Sequence, residues 1–282
     1  MAGRGSELSP VVGNLVAKNA QTRALVPSPL ERERRPVRGV IFDLFGTLTD
    51  GALEDERDAH YARLAHVLEV PHRGFVEMMR GSFRRRFQGE FGGVAQTLRR
   101  IGRDLGTVIR GRQLREAVQL RLLIERRLAS PRVDAIPLLK ELRRRGLAVA
   151  VISDCGPETP QVWPALPFAT LVDRCVFSCE VGVCKPDPAI YGLALDQLGL
   201  RADQCLYVGD GGSRELTGAL AVGMRAVRLA VTREGGERRE ARFDPEVDWT
   251  GPTVGCLSDL LDFPGFGSSG GARRRRPAAR QG

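Results

Sequence analysis

The chain has almost no lysine. Of its 43 basic residues only Lys18, Lys140 and Lys185 are lysines. Guanidinium and ammonium groups are not interchangeable where a compact point charge is needed. Lys185 therefore draws attention, whereas Lys140 reads as an ordinary exposed helix residue. Long apolar runs are missing too: none reaches the roughly 20 residues of a membrane-spanning helix, which speaks against a membrane partner. The N-terminus lacks the basic, apolar, small-residue order of a signal peptide, and the expected location is cytoplasmic. Six cysteines (Cys155, Cys175, Cys179, Cys184, Cys205, Cys256) form no CxxC pair. That pattern argues against a zinc site or disulfide scaffold and for reduced structural thiols.

Charge of one sign is lacking over most of the chain. The net charge is +9, but residues 1–40 carry +4 of it and residues 268–282 carry +5, so residues 41–267 are neutral. A surplus held in the termini does not make a basic face on a folded surface, and nucleic acid is not expected as a partner. Residues 1–37, with Pro10, Pro27, Pro29 and Pro36, read as a flexible leader. Residues 265–282, with Arg273 to Arg276, read as a disordered basic tail.

What is present is a globular composition, 42% hydrophobic and 27% charged over 282 residues, enough for a full core. Val40 to Phe42 is a short apolar run that reads as a buried strand, with Asp43 at its carboxyl end and Gly46 freeing a sharp exit. From Leu53 to Ala129 the pattern becomes helical. Ala59, Leu64, Ala65 and Leu68 share one helical face, Phe75, Met78, Met79 and Phe83 another, and further helices run over 97–105 and 113–128. Strand and helix then alternate: a helix over 133–145, strands over 147–152 and 171–177, a helix from Pro188 to Leu198, a strand over 205–208, a helix over 213–222 and a strand over 225–229. Residues 231–250 read as polar loop, and a short helix over 257–261 closes the fold. This is an α/β chain with a doubly wound parallel sheet. Its expected core is 38–52 with 130–264, and 53–129 is a helical insert.

In such sheets ligands bind outside the carboxyl ends of the strands. Asp43, Ser153 and Asp210 stand at three such ends, and Lys185 stands at a helix start. Two carboxylates there can hold Mg²⁺. A hydroxyl, an ammonium and free backbone N–H groups can hold a phosphate, and one carboxylate is left as a nucleophile.

These stretches resemble the four motifs of the haloacid dehalogenase-like hydrolase superfamily. Asp43-Leu44-Phe45-Gly46-Thr47-Leu48 is similar to the first, Val151-Ile152-Ser153-Asp154 to the second and Lys185-Pro186-Asp187-Pro188 to the third. Val208-Gly209-Asp210 with Glu215 is similar to the fourth. The insert resembles the α-helical cap of one subgroup. The resemblance implies a Rossmann-like core and a hydrolase, most simply a phosphatase acting on a small phosphorylated metabolite through an aspartyl-phosphate. It implies Asp43 as nucleophile, Thr47 orienting it, and Ser153 and Lys185 holding the transferred group. Mg²⁺ would be bound by Asp43, the Phe45 carbonyl, Asp210 and Glu215.

Two positions depart from the family pattern. Its phosphatases carry a second Asp where this chain has Phe45, and loss of a general acid/base commonly costs about 10²–10⁴ in rate. Glu215 also stands where Asp is usual. Haloacid dehalogenases carry an aromatic residue at position 45 and need no metal, which makes carbon–halogen hydrolysis the first alternative. A catalytically weak phosphate-binding module is the second. Phosphonate hydrolases use a cap lysine, and residues 53–129 contain none. Within the insert, Arg84, Arg85 and Arg86 are expected to contribute to substrate recognition, because arginine forks suit carboxylates and phosphates.

Overall fold

The computed structural model describes residues 36–50, 54–230 and 244–264. The expected leader up to residue 35 and the expected tail from residue 265 lie outside the described residues. Strand β1 (Gly39–Phe42) is fully buried and lies between two parallel neighbours. These are β2 (Ala148–Ser153) and β4 (Cys205–Gly209), flanked in turn by β3 (Arg174–Phe177) and β5 (Arg225–Leu229). A two-residue β6 (Thr253–Val254) completes the order β3-β2-β1-β4-β5-β6. Every pairing is parallel, so both faces need cover and the strands are continuously apolar rather than alternating.

The cover is assigned residue by residue. Val40, Phe42, Val149 and Val151 face α6 (Ala135–Arg144), which contributes Ala135, Leu138, Leu139 and Leu142, and the 3₁₀ turn of residues 257–262. Ile41, Ala150 and Ile152 face α9 (Pro188–Leu198) and α10 (Glu215–Ala221), through Ile190, Tyr191, Ala194, Leu216 and Ala219. Each fully buried aliphatic or Phe side chain contributes about 1.5–3 kcal/mol. The order reverses beside β1, which places the site crevice at the carboxyl ends of β1, β2 and β4.

Between β1 and α6 run α1 (Glu54–Leu68), α2 (His72–Gly81), α3 (Phe83–Phe87), α4 (Val94–Asp104) and α5 (Gly111–Leu128). This insert has its own buried cluster, built on Tyr61, Leu64, Leu68, Phe75, Met79, Leu98 and Ile101. The face of α1 is shifted from the sequence expectation: Ala59 is exposed, and Tyr61 enters the cluster instead. The expected continuous helix through Phe83 breaks at Ser82, whose hydroxyl bonds the Met78 carbonyl at 2.6 Å. The insert is anchored where it leaves and re-enters the core by a bridge between Thr49 and Pro131 and by Arg132 N–H to Leu48 O at 2.9 Å.

One further boundary differs, and three short elements are added. The helix expected over 213–222 begins at Glu215, because Ser213 and Arg214 are left-handed, with φ of 55° and 49°. A short helix, α7 (Glu158–Val162), follows β2, and α8 (Ser178–Val181) follows β3. Strand β6 pairs with β5 where the sequence shows no strand signal.

Candidate active site

The exit from β1 is a tight backbone knot. The N–H groups of Leu48 and Thr49 both bond the Leu44 carbonyl at 3.0 Å, and Gly46 N–H bonds Thr49 O at 3.0 Å. Gly46 has φ +99°, and a Cβ there would lie 2.1 Å from Asp210 Oδ2. Glycine is therefore required twice, for its backbone and for the approach of a carboxylate. The knot turns Thr47 back on Asp43, and its hydroxyl donates to Asp43 Oδ2 at 3.1 Å. Asp43 N–H bonds Val208 O at 2.9 Å, continuing the ladder that aligns the ends of β1 and β4.

Lys185 reaches this point from the turn before α9. Its Nζ donates to Asp43 Oδ1 at 2.6 Å and to Glu215 Oε2 at 2.5 Å. Burial alone would depress the ammonium, but the charges of Asp43 and Glu215 lift it well above the ordinary lysine value. Glu215 is fully buried, and its other oxygen accepts Gly211 N–H at 3.0 Å. Burial, with the Asp43 and Asp210 charges, pushes its carboxyl up against the pull of Lys185.

The structure thus brings Asp43, Thr47, Lys185, Asp210 and Glu215 together. Ser153 ends β2 in the strand beside β1, fully buried, and its hydroxyl has no hydrogen-bond partner among the described residues. The three arginines of α3 part company. Arg84 and Arg85 are exposed, Arg85 pairs with Glu90 at 2.7 Å, and Arg84 acts electrostatically on Cys184. Arg86 is buried inside the insert, where it donates to Met79 O at 2.7 Å and Ser82 Oγ at 3.2 Å.

Two tyrosines were not expected here. Tyr207 donates to Glu215 Oε2 at 2.8 Å, and Tyr191 donates to the Glu215 carbonyl at 2.9 Å. Both sit at apolar positions of their elements, so only a polar-headed aromatic on a buried strand hinted at them. A second charged layer joins insert and core. Arg121 of α5 pairs with Glu158 of α7 at 2.8 Å, and Thr159 Oγ1 donates to Glu125 Oε1 at 2.5 Å. Its one sequence signal is spacing: Arg121 and Glu125 continue the stripe of Leu114 and Ala117 along α5.

The donor set suits a hard divalent cation. Asp43, Asp210 and Glu215 each offer an oxygen, all within 4.8 Å of one another. Three carboxylates facing one ammonium leave an excess of negative charge that Mg²⁺ would offset. Asp43 and Glu215 each already accept hydrogen bonds on both oxygens, and Asp210 accepts one on Oδ1 from Gly212 N–H at 2.9 Å.

A family model described as haloacid dehalogenase-like hydrolase matches residues 37–223. A phosphoserine phosphatase of Thermus thermophilus is 33% identical over 123 residues, 43% of this chain and 48% of that protein. The chain spans about half the length of the first curated relatives it matches. (S)-2-haloacid dehalogenase 1 of Pseudomonas sp. strain CBS-3 is 28% identical over 198 residues, 69% of this chain and 85% of that protein. Among solved structures, 2-haloacid dehalogenase of Pseudomonas syringae pv. Tomato superposes with a TM-score of 0.60 at 22% identity, covering 80% of this chain and 97% of that one. That likeness shows the fold, and phosphatases and dehalogenases both occur among the relatives. With the family model covering the whole span from β1 through α10, the chain belongs to the haloacid dehalogenase-like hydrolases.

Proposed function

We propose that this hydrolase is a Mg²⁺-dependent phosphatase acting on a small cytoplasmic phosphorylated metabolite, with residues 53–129 as a cap over the core of 38–52 and 130–264. The carrying observation is the convergence of Asp43, Asp210 and Glu215 oxygens within 4.8 Å around a single lysine. A metal-free dehalogenation has no use for so much negative charge.

Asp43 attacks phosphorus, the ester P–O bond breaks, and the leaving group departs as an alkoxide that takes its proton from water as the aspartyl-phosphate forms. Thr47 fixes one carboxylate oxygen so that the attacking atom is not free to rotate. Lys185 offsets charge on Asp43 and on the transferring group. The unpartnered hydroxyl of Ser153 donates to a phosphate oxygen. Mg²⁺, held by Asp43, Asp210 and the Phe45 carbonyl with Glu215 behind them, would neutralise phosphoryl charge. Water then hydrolyses the acyl phosphate. Phe45 cannot protonate the departing alkoxide, so leaving groups of low basicity are favoured.

Carbon–halogen hydrolysis is the second reading, favoured by Phe45 and by the engagement of both Glu215 oxygens. A panel of phosphate esters and 2-haloacids, assayed with and without chelator, tests the two. Mg²⁺-dependent phosphate release that disappears in Asp43→Asn supports the phosphatase. Chelator-insensitive turnover of 2-haloacids without phosphate release overturns it. Phosphate binding that survives Asp43→Asn, with no turnover in wild type, points instead to a binding module.

A further inference from the structure

The loop between Asp210 and Glu215 takes a shape it would not hold alone. Gly211, Ser213 and Arg214 are all left-handed, with φ of 92°, 55° and 49°. That region is costly for residues that carry a Cβ, and such a backbone persists only where its surroundings over-determine it. The shape matters, because the loop's own N–H groups aim both carboxylates. Gly212 N–H donates to Asp210 Oδ1 at 2.9 Å, and Gly211 N–H donates to Glu215 Oε1 at 3.0 Å.

Both ends of this loop are tied to one residue, thirty positions after Leu216. Glu246 falls in the stretch 231–250 that reads as polar loop, yet it is buried. Its carboxylate spans the start of α10: Oε2 accepts Leu216 N–H at 3.0 Å, and Oε1 accepts Thr217 N–H at 2.7 Å. Its own N–H donates to Gly211 O at 3.0 Å. That carbonyl belongs to the peptide plane whose N–H, on Gly212, aims Asp210, and a peptide plane turns as a unit. Glu246 is held in turn from β5. Its carbonyl accepts Arg228 Nη1 at 3.1 Å, and Arg228 is paired in the ladder with Gly209, the residue before Asp210. Arg214 N–H to Asp244 O at 3.3 Å is one more tie between the two segments.

We propose that Glu246 is a positioning residue for the metal site, setting the loop so that Asp210 and Glu215 converge on Asp43; this role rests on the Mg²⁺ reading above. Glu246 acts through those residues and not as a ligand. Among the described residues the converging carboxylates are Asp43, Asp210 and Glu215, and both Glu246 oxygens are engaged at the start of α10. A carboxylate suits the task because it accepts on both oxygens. The amide of glutamine offers one oxygen and an NH₂ group that would oppose the second N–H. Loss of a group that holds metal ligands in place commonly lowers metal affinity by about 10–100-fold.

The test is Glu246→Gln in the full-length protein, with three readouts. Isothermal calorimetry should show Mg²⁺ binding weakened about 10–100-fold. The half-saturating Mg²⁺ concentration for turnover of an aryl phosphate should rise by the same factor, with KM for the ester unchanged at saturating Mg²⁺. Amide hydrogen exchange over residues 211–217, read without metal, should quicken while exchange in β1 and β2 stays as in wild type. Glu246→Asp keeps the charge but is one methylene short, and its Mg²⁺ affinity should fall between the two. It carries the same comparison if Glu246→Gln does not fold. A folded variant with wild-type Mg²⁺ affinity would overturn the role, however far its melting temperature drops. Unchanged exchange over 211–217 would overturn it as well, since the loop would then not depend on Glu246. Wild type that binds no Mg²⁺ in calorimetry would overturn the metal reading and this role with it, an outcome distinct from the other two.

Discussion

The Nζ of Lys185 lies 2.6 Å from Oδ1 of Asp43, a residue 142 positions earlier in the chain, and both side chains are withdrawn from solvent. The same ammonium meets Glu215 at 2.5 Å. Lys185→Met would leave Asp43, Glu215 and Asp210 facing each other with nothing between them. Removing one partner of a buried pair costs about 3–5 kcal/mol. The expected outcome is a large fall in melting temperature, partly restored by millimolar Mg²⁺, with turnover lost. Lys185→Arg should not rescue activity, because a planar fork does not fit a slot made for a point charge. A melting temperature unchanged in Lys185→Met would remove the lysine from this role.

Gly46→Ala tests the metal site from the side of the backbone. The new Cβ would fall on Asp210 Oδ2 at a φ of +99°. Holding a non-glycine residue in such a conformation costs roughly 1–3 kcal/mol, and Asp210 must move. Mg²⁺ should bind more weakly, read as a raised half-saturating concentration in turnover and as weaker calorimetric binding. Unchanged Mg²⁺ dependence would argue that Asp210 is not a ligand.

Phe45→Asp asks whether the missing acid limits the reaction. A carboxyl at this position would supply the proton that Phe45 cannot. The expected gain is about 10²–10⁴ in rate for alkyl esters, with a smaller gain for aryl phosphates, whose leaving groups need less help. No gain on any ester, together with lost turnover of 2-haloacids, would favour the dehalogenase.

What could be read from the chain was what is local. Asp43, Ser153 and Asp210 each follow a run of apolar residues, so strand end and polar group are adjacent in sequence, and the parallel sheet collects them. Tyr207 was hidden because its ring packs as core, against Tyr191 at 5.6 Å, while its hydroxyl serves Glu215. Arg121 and Glu158 were hidden because 37 residues and a change of layer separate them. Arg84, Arg85 and Arg86 read as one cluster, but α3 is only five residues long and points them in different directions. The left-handed Ser213 and Arg214 delay α10, and its first N–H groups are met by a distant residue, Glu246, whose carboxylate accepts Leu216 N–H at 3.0 Å and Thr217 N–H at 2.7 Å.

The pair of Arg121 and Glu158 joins insert to core with both side chains buried. Burial alone would raise the Glu158 carboxyl, but the Arg121 and Arg86 guanidinium groups hold it below the ordinary value. Glu158→Gln should destabilise by about 3–5 kcal/mol, since it leaves two buried cations uncompensated. Arg121→Gln added to it should restore part of the loss, a coupling of about 0.5–3 kcal/mol in a double-mutant cycle. Additive losses would mean that the two do not act as a pair.

Glu125 should make stability fall as pH rises. Its carboxyl faces Arg121 on its own helix, Arg57 from α1, and Glu158, Thr159 and Cys155 from the core. Burial raises it above the ordinary glutamate value, against the pull of Arg121. A raised folded pKa means that the native state holds its proton more tightly than the unfolded chain does. That contribution is complete below the unfolded value, about 4.3, and is lost as pH climbs through the folded value. Glu125→Gln keeps an oxygen to accept from Thr159 and removes the ionisation. The variant should melt a few degrees above wild type at pH 8, and the gap should close as pH approaches 4.5. Glu158 runs the other way, losing its contribution below the ordinary value, but it is present in both proteins and largely cancels in the difference. A gap constant across the range, or one that widens toward acid, would show that Glu125 is ionised in the folded state.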